Sequence, residues 1–305
     1  MRLVFAGTPA AAVPTLRRLA SEHDVAAVVT RPAAPLGRKR VLTPSPVAQA
    51  AEELGLPVIA AARLDEEATT AITALDADLG VIVAYGGLVR EPLLSAPRFG
   101  WINLHFSLLP EWRGAAPVQR ALIAGDPDLG ASVFQLVAEL DAGDVFAART
   151  VPVPGTATAG TALELLSVDG AELTASVVRG IADGTARATP QEGEPSFAPK
   201  LSLADGALDW DAPVERVFAR FRGVTPEPGA HTTIDGQMLK ILDAAPAAGE
   251  SLAPGSIAGS KSAILIGTAS APLAVTRVQP AGKGPMNAAD WWRGQRGAEG
   301  MRAGS

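Results

Sequence analysis

Two polar side chains stand two positions apart in the otherwise apolar run Trp101-Ile102-Asn103-Leu104-His105. This run predicts a buried strand, and alternate positions of a strand share one face. Asn103 and His105 should therefore point the same way from the end of the strand, where open α/β sheets place their ligand crevices. An amide donor can stabilise an oxyanion, and an imidazole can move protons. A histidine hydrogen-bonded in the core and an asparagine that caps a turn would give the same spacing.

A group of carboxylates follows the next strand-like run. The segment Glu139-Leu140-Asp141-Ala142-Gly143-Asp144 forms a glycine-containing loop after Ala131–Leu136. If this loop lies at the same edge of the sheet as His105, Asp141 can orient the imidazole and favour its charged form. Asn, His and Asp together suit acyl transfer without a protein nucleophile. Taken alone, Asp141 and Asp144 are also typical of ordinary turn residues.

Composition and motifs exclude several other kinds of site. Cysteine is absent, which excludes disulfides, thiolate metal sites, cysteine nucleophiles and iron–sulfur clusters. The three histidines are too few for a His-rich metal cage, so we expect no metal. The first turn, Ala6-Gly7-Thr8-Pro9-Ala10, lacks the glycines of a dinucleotide-binding loop, and the chain has neither a Walker loop nor a Gly-x-Ser-x-Gly elbow.

The elements that must position these residues alternate between strand and helix. Such alternation predicts a doubly wound α/β sheet in the first two-thirds of the chain. The predicted strands are Leu3–Gly7, Val25–Thr30, Pro57–Ala61, Leu79–Tyr85, Trp101–His105 and Ala131–Leu136. The predicted helices are Pro14–Glu22, Pro46–Leu54, Glu66–Leu75, Pro117–Ala124, Thr161–Leu166 and Ala171–Ala182.

The pattern changes in the last third of the chain. Residues 184–202 are rich in Pro, Gly, Thr and Glu and are typical of a linker. Beyond them we predict a short helix at Pro213–Phe221, a hairpin over 231–241 that turns at Asp-Gly, and strands at Ala263–Ile266 and Leu273–Val278. We therefore predict a catalytic domain over residues 1–184, a linker over 185–203 and a small antiparallel β domain, a barrel or a sandwich, over 204–305.

The 305-residue chain has 48% hydrophobic and 19% charged residues, as expected of a packed globular protein of about two domains. Its longest apolar stretches fall short of the roughly 20 residues that span a bilayer, and its first residues predict a strand rather than a signal peptide. We expect a cytoplasmic protein with no membrane contact. Residues 1–199 hold 15 basic and 22 acidic side chains, whereas residues 200–305 hold 11 and 10, so the β domain suits a polyanion better.

One basic loop stands out against the net charge of −6. Arg31, Arg38, Lys39 and Arg40 lie in a proline-rich stretch that has no acidic residue between Asp24 and Glu52. Such a stretch is either a solvated surface loop or a site for a polyanion.

A series of short segments extends the Asn103–His105 pattern over most of the chain. These segments are Phe5-Ala6-Gly7-Thr8-Pro9, Gly37-Arg38, Leu42-Thr43-Pro44-Ser45-Pro46-Val47, Val83-Ala84-Tyr85-Gly86, Asn103-Leu104-His105-Phe106-Ser107-Leu108-Leu109-Pro110, Glu111-Trp112-Arg113-Gly114-Ala115-Ala116-Pro117-Val118-Gln119-Arg120, Leu140-Asp141-Ala142-Gly143-Asp144, Gln279-Pro280-Ala281-Gly282-Lys283, Met286 and Asp290-Trp291. Together they resemble the 10-formyltetrahydrofolate-dependent formyltransferases, and among these the ones that act on methionyl-tRNA. Phe106 departs from the pattern, because the family usually has a small residue there.

The resemblance implies a Rossmann-like formyltransferase domain followed by a small OB-like β-barrel domain. It also implies an enzyme that transfers a formyl group from 10-formyltetrahydrofolate to the amino group of methionyl-initiator tRNA, and we expect that enzyme to be a monomer. The implied catalytic residues are Asn103, His105 and Asp141. The implied folate contacts are Ser107, Leu108, Leu109, Pro110, Ala84, Tyr85 and Gly86. The implied tRNA contacts are Arg38, Lys39, Arg40, Lys200 and Lys283.

Two other functions stay open at this point. A folate-dependent formyltransferase that acts on a sugar amine or a nucleotide would share the catalytic set but would lack the basic loop. A non-enzymatic RNA-binding module could use the β domain and the basic loop, but it would not need Asn103, His105 and Asp141 together.

Overall fold

The structure is a computed structural model, and it describes residues 1–37, 40–295 and 300–304. Its chain forms two compact units. The first unit contains Met1–Pro117, Asp128–Pro152 and Leu163–Ala198, and the second contains Val118–Pro127, Val153–Ala162 and Pro199–Ser305.

Seven strands form the central sheet of the first unit. They are β1 (Arg2–Gly7), β2 (Asp24–Thr30), β5 (Val58–Ala60), β6 (Leu79–Val83), β7 (Trp101–His105), β8 (Gly130–Gln135) and β9 (Val145–Thr150); a separate hairpin contains β3 (Ala34–Leu36) and β4 (Val41–Thr43). The helices of this part of the sequence are α1 (Val13–Ala20), α2 (Pro46–Glu53), α3 (Glu66–Thr73), α4 (Pro117–Ala124) and α5 (Ala159–Ala182). From Val118 onward α4 belongs to the second unit, as does α5 up to Ala162.

The sheet has the order β5-β2-β1-β6-β7-β8-β9. Pairing is parallel from β5 to β7 and antiparallel for β8 and β9. All five residues of β6 are buried, as are five of the six in β1, because a parallel strand is covered on both faces. The chain adds β2 and β5 on one side of β1, then β6 and β7 on the other. Such a reversal of strand order opens a crevice at the carboxyl ends of the strands.

A second, antiparallel sheet forms the core of the second unit. Its strands are β10 (His231–Ile234), β11 (Gln237–Pro246), β12 (Ile257–Gly259), β13 (Ile264–Ile266), β14 (Leu273–Pro280) and β15 (Met286–Asn287), accompanied by the helices α6 (Val214–Gly223) and α7 (Ala288–Arg293). The turn between β10 and β11 has positive φ at both Asp235 and Gly236, which is the geometry that Asp-Gly favours in hairpins. Shifts of register in β11 at Ile241–Ala244 mark bulges, which bend a strand and curl its sheet.

The predicted fold class is confirmed, and several element predictions need correction. The two helices predicted between residues 161 and 182 are one helix, α5, and the edge strand β9 was not predicted. The basic stretch predicted as a loop contains the short hairpin of β3 and β4. In the predicted linker, Thr189 pairs with Val145, and Phe197 pairs with Arg113. In the part of the chain that the structure describes, every helix is too short or too polar to cross a bilayer.

Candidate active site

His105 is the last residue of β7, and its imidazole is buried. Its Nε2 lies 2.9 Å from the carbonyl oxygen of Trp112. A carbonyl only accepts hydrogen bonds, so the proton of a neutral ring sits on Nε2 and Nδ1 keeps its lone pair. The imidazole and the ring of Phe134 also pack nearly perpendicular to each other, with ring centroids 6.4 Å apart. The ring is therefore held by a backbone carbonyl and an aromatic neighbour, and its Nδ1 is left to take up a proton.

Asp141 faces that Nδ1 from the loop between β8 and β9. Its Oδ2 lies 3.8 Å from His105 Nδ1, which is beyond hydrogen-bonding distance but close enough to attract an imidazolium. The same oxygen accepts a 2.8 Å hydrogen bond from the backbone N–H of Gly114. We expected Asp141 to orient the imidazole; the structure assigns that task to Trp112, and Asp141 acts on the charge.

Burial lowers the pKa of His105 below its ordinary value, because an imidazolium is poorly solvated in this position. The carboxylate of Asp141 and the hydrogen bond to the Trp112 carbonyl raise the pKa, but by less. The resting ring is therefore neutral at neutral pH, and the neighbouring carboxylate stabilises the charge once a proton arrives.

Asn103 lies two residues before His105 on β7, paired with Ile82 of β6 and Phe134 of β8. Among the residues that the structure describes, its buried Oδ1 has no hydrogen-bond partner. A buried polar atom without a partner lowers stability, and such atoms call for a functional explanation. The Oδ1 atom of Asn103 is thus available to a group that enters the site.

Three non-glycine residues near the site have left-handed backbone conformations: Ala84 (φ 48°), Trp112 (φ 59°) and Asp141 (φ 47°). Such conformations are disfavoured by about 1–3 kcal/mol each and persist only where surrounding contacts impose them. Ala84 directly follows β6. Trp112 presents the carbonyl that contacts the His105 ring, and Asp141 carries the carboxylate that faces this ring. The strain is concentrated on the backbone that shapes the site.

Asn103, His105 and Asp141 line one cavity of about 460 Å³, which is within the usual range for small-molecule sites. Its walls come from four segments, after β6, after β7, before α4 and after β8. The lining residues are Ile82, Ala84, Gly86, Gly87, Leu88, Val89, Asn103, Leu104, His105, Phe106, Gly114, Ala115, Pro117, Leu136, Val137, Ala138, Glu139, Leu140 and Asp141. Mainly apolar walls with four polar side chains, Asn103, His105, Glu139 and Asp141, suit a largely apolar ligand with a polar reacting group.

The structure brings only part of the predicted folate set to this cavity. Ala84 and Gly86 line it, but the Tyr85 side chain is buried in the core and its hydroxyl donates to the Ala61 carbonyl. Ser107, Leu108, Leu109 and Pro110 are not among its lining residues.

Those four residues instead form the turn after β7. The Ser107 hydroxyl donates to the Glu111 carbonyl, and the Leu109 N–H donates to the buried Ser132 hydroxyl. The turn leads the chain back to Trp112 and so to the contact with His105. In this structure their role is to shape the backbone, and a direct contact with folate stays a prediction.

The sequence analysis did not predict all of the residues that line the cavity. The segment 87–89 after β6 and the apolar residues 136–138 ahead of Asp141 both line the cavity. The position of each directly after a buried strand was the available signal. Phe106, which departs from the usual small residue, lines the cavity and is itself buried.

The predicted tRNA residues are spread over three places. Arg38 and Lys39 lie outside the described residues, and Arg40 is exposed beside the β3–β4 hairpin. Arg31, at the base of this hairpin, donates a 3.3 Å hydrogen bond to the carbonyl of Gly86 on the cavity wall. Lys200 and Lys283 are exposed residues of the second unit.

Family comparisons match both parts of the chain. A family described as formyl transferase matches residues 1–177, and its C-terminal domain family matches residues 200–296. The chain belongs to the formyltransferase family. In the described part of this formyltransferase, no three histidine or acidic side chains come together as a metal site.

Curated relatives of this formyltransferase extend over nearly its whole length. A methionyl-tRNA formyltransferase of Leifsonia xyli subsp. xyli is 62% identical over 97% of this chain and 98% of its own. Another, from Arthrobacter sp. (strain FB24), is 53% identical over 99% of both chains.

Solved structures share the fold at low sequence identity. HypX from Aquifex aeolicus superposes with a TM-score of 0.69 and 18% identity over 97% of this chain, which spans 48% of that longer protein. The N-formyltransferase from Helicobacter canadensis, in complex with folinic acid and dTDP-3-aminofucose, gives a TM-score of 0.69 and 15% identity over 91% of this chain and 98% of its own. The formyltransferase fold is therefore confirmed along the chain.

Proposed function

We propose that this formyltransferase transfers the formyl group of 10-formyltetrahydrofolate to the amino group of methionyl-initiator tRNA, for the initiation of translation. The observation that carries the proposal is the cavity in which Asn103, His105 and Asp141 converge. Full-length relatives named methionyl-tRNA formyltransferase, at up to 62% identity, supply the substrates.

The residues act in the following order in this proposal. His105 accepts a proton at Nδ1 from the methionyl amine as its nitrogen attacks the formyl carbon, and Asp141 stabilises the imidazolium. Asn103 donates an amide N–H to the oxyanion of the tetrahedral intermediate. His105 then returns the proton to N10 of the folate as the bond between N10 and the formyl carbon breaks. The proton that leaves the amine ends on N10 of the folate, and no covalent bond forms between the formyl group and the protein.

The cavity suits the formyl donor in size and chemistry. Its volume is about 460 Å³, its walls are mainly apolar, and Asn103, His105 and Asp141 are among its lining residues. We propose that the folate ring system lies against the residues after β6 and β8, with the formyl group beside Asn103 and His105. The buried Phe106 would narrow the pocket compared with relatives that have a small residue there.

The tRNA contacts are proposed to be cationic and to come from the basic loop, from the end of the predicted linker and from the C-terminal domain. Arg38, Lys39 and Arg40 would bind phosphates from the basic stretch of the sequence, and Lys200 and Lys283 would do so from the second unit. We propose that residues 1–184 form the catalytic and folate-binding domain, that residues 185–203 form the linker, and that residues 204–305 form the domain that binds tRNA. We further propose a cytoplasmic location, since charged tRNA is a cytoplasmic substrate, and a monomer, as the family resemblance implies.

A radiolabelled transfer assay tests this function. The full chain, 10-formyltetrahydrofolate carrying a labelled formyl group, and charged initiator tRNA should give labelled formylmethionyl-tRNA. An uncharged tRNA and a dTDP-linked amino sugar serve as controls. Transfer to the amino sugar and none to the charged tRNA would favour the sugar-amine alternative, and binding of tRNA without any transfer would favour the RNA-binding module.

A further inference from the structure

Gln191 stands in the polar segment between the two family matches, where the sequence predicts only a linker. In the structure its side-chain amide uses both its donors and its acceptor. The Nε2 group donates to the carbonyl oxygens of Asp141, at 2.8 Å, and of Gly143, at 2.9 Å. The Oε1 atom accepts from Arg113 Nη2 at 2.7 Å and from Arg113 Nε at 3.2 Å.

These four contacts join the two loops that hold the catalytic pair. Asp141 belongs to one loop, in which its carboxylate faces His105. Arg113 belongs to the other, between Trp112, whose carbonyl holds the imidazole, and Gly114, whose N–H holds the carboxylate. The Gln191 amide therefore fixes the separation between the His105 and Asp141 side chains, although it touches neither of them.

We propose that Gln191 is a positioning residue for formyl transfer, acting through the Asp141 loop. The inference rests on the catalytic roles proposed above for His105 and Asp141. A left-handed backbone at Asp141 needs contacts that impose it, and Gln191 supplies one at the carbonyl of that same residue.

The backbone around Gln191 supports this role. The segment 189–198, here called the clasp, pairs through Thr189 with Val145 at the start of β9. Further along, Ser196 accepts hydrogen bonds from Trp112 N–H through its Oγ (2.8 Å) and from Arg113 N–H through its carbonyl (2.9 Å). The Ala198 N–H donates to the Arg113 carbonyl at 2.7 Å. Pairing near both ends holds the Gln191 side chain between the two loops.

Two substitutions separate the donor and acceptor halves of the amide. Gln191→Met removes all four hydrogen bonds at nearly constant length. Gln191→Glu keeps an acceptor for Arg113 but has no N–H for the Asp141 and Gly143 carbonyls. If Gln191 acts through the Asp141 loop, both variants should lower kcat roughly 10- to 100-fold with little change in KM for folate or tRNA. Glu192→Gln is the matched control, because Glu192 is the exposed neighbour on the same segment and should keep full activity.

A double-mutant cycle identifies the residue through which Gln191 acts. In an Asp141→Asn background the carboxylate is already lost, so Gln191→Met should lower kcat far less than it does in the wild type. A merely structural role would lower kcat by the same factor in both backgrounds. Melting temperature and folate affinity, measured on each variant, show whether the fold persists, and Gln191→Glu carries the test if the methionine variant is too unstable to assay.

The outcomes distinguish this inference from the proposed function. If the wild type formylates charged initiator tRNA but Gln191→Glu retains its kcat, the positioning role is wrong and the function stands. Equal losses from Gln191→Met in both backgrounds also overturn it. If the wild-type chain transfers no formyl group to charged tRNA, the proposed function itself is wrong.

Discussion

At the scale of single residues, the proposed chemistry depends on the protonation of the His105 imidazole. The order Asn-x-His on a strand predicts two groups on one face, and the structure confirms that both line the same cavity. Sequence alone could not give the ring's partners. The Trp112 carbonyl lies seven residues away and reaches His105 only through the turn at residues 107–111. Asp141 comes from another strand connection, and its position was expected from a sheet edge shared by the carboxyl ends of two strands. Strand β8 instead runs antiparallel to β7, with Gln135 beside Ile102, so the chain leaves β8 at the opposite end of β7 and comes close to His105 only at Asp141.

The first prediction concerns the titration of His105. Its pKa is lowered by burial, so the ring should be neutral at pH 6.5 and should gain its proton only at lower pH. Asp141 opposes this shift, so Asp141→Asn should move the titration further toward acid. The chain has only three histidines, so ring-proton NMR with His105→Gln as the assignment standard measures this directly. A ring that titrates above 6.5 would contradict the neutral-base role.

The second prediction separates activity from stability at Asn103. Asn103→Ala should lower kcat roughly 10²–10³-fold, which is the effect of losing one oxyanion donor. Its Oδ1 has no partner within the described residues, so the truncation breaks no hydrogen bond at that atom. Melting temperature should therefore stay near the wild-type value. His105→Ala is the comparison, with an expected loss of roughly 10²–10⁴-fold in kcat. An Asn103→Ala variant that is fully active would remove Asn103 from the mechanism.

At the scale of elements, short buried strands and proline-led helices were predictable, and long-range pairings were not. Strand β7 and helix α4 have the predicted bounds, since an apolar run and Pro at the first helical turn are local signals. Strand β9 was missed because half of it is exposed and its pattern is weak. The clasp lies in the segment predicted as a linker, since a polar, proline-rich segment gives no sign that it pairs with Val145, Trp112 and Arg113, which lie 44 to 85 residues away in the chain.

A third prediction tests the packing of α6 within the second unit. A Cβ added at Gly223 would lie 2.6 Å from the backbone oxygen of Gln119 and 2.6 Å from Ile123 Cγ1. Alanine usually favours a helix by about 1 kcal/mol over glycine, but a clash with backbone cannot be relieved by rotating a side chain. Gly223→Ala should therefore reduce the free energy of unfolding by roughly 1–3 kcal/mol, as measured in urea.

The matched control for that variant is Gly155→Ala. Gly155 belongs to the same unit and has no atom within 4 Å of the position of an added Cβ. Its substitution should leave the unfolding free energy nearly unchanged. Equal stability of the Gly223 and Gly155 variants would mean that α6 and the 118–127 segment are not packed as tightly as described.

At the scale of the whole molecule, the two compact units interleave along the chain. The second unit includes Val118–Pro127 and Val153–Ala162, which come from the part of the sequence predicted as one catalytic domain. A fragment that ends at Ser202 would leave both segments without the partners that residues 199–305 provide. For this reason the proposed division between catalysis and tRNA anchoring is best tested by charge removal on the full chain.

The last prediction concerns those charges. If the hairpin and the second unit both bind phosphates, Arg38→Ala and the pair Lys200→Ala/Lys283→Ala should each raise KM for tRNA severalfold. Each cation removed should also reduce the slope of log KM against log salt by roughly 1. Neither change should affect KM for folate: Lys200 and Lys283 are not among the residues that line the cavity, and the family resemblance assigns Arg38 to tRNA. Arg63→Ala and Lys261→Ala, exposed cations in the first and second units, are the matched controls.

A variant that combines Arg38→Ala with Lys200→Ala/Lys283→Ala decides whether the two surfaces act on one tRNA. Contacts at separate places on one bound molecule contribute independent free energies, so their factors in KM should multiply. Two surfaces on one chain also raise each other's effective concentration, so loss of all three cations should leave weak use of tRNA, with the slope of log KM against log salt reduced by roughly 3. If Lys200→Ala/Lys283→Ala behaves like Lys261→Ala, the second unit does not anchor tRNA through these lysines. The basic hairpin would then carry the electrostatic attraction without them.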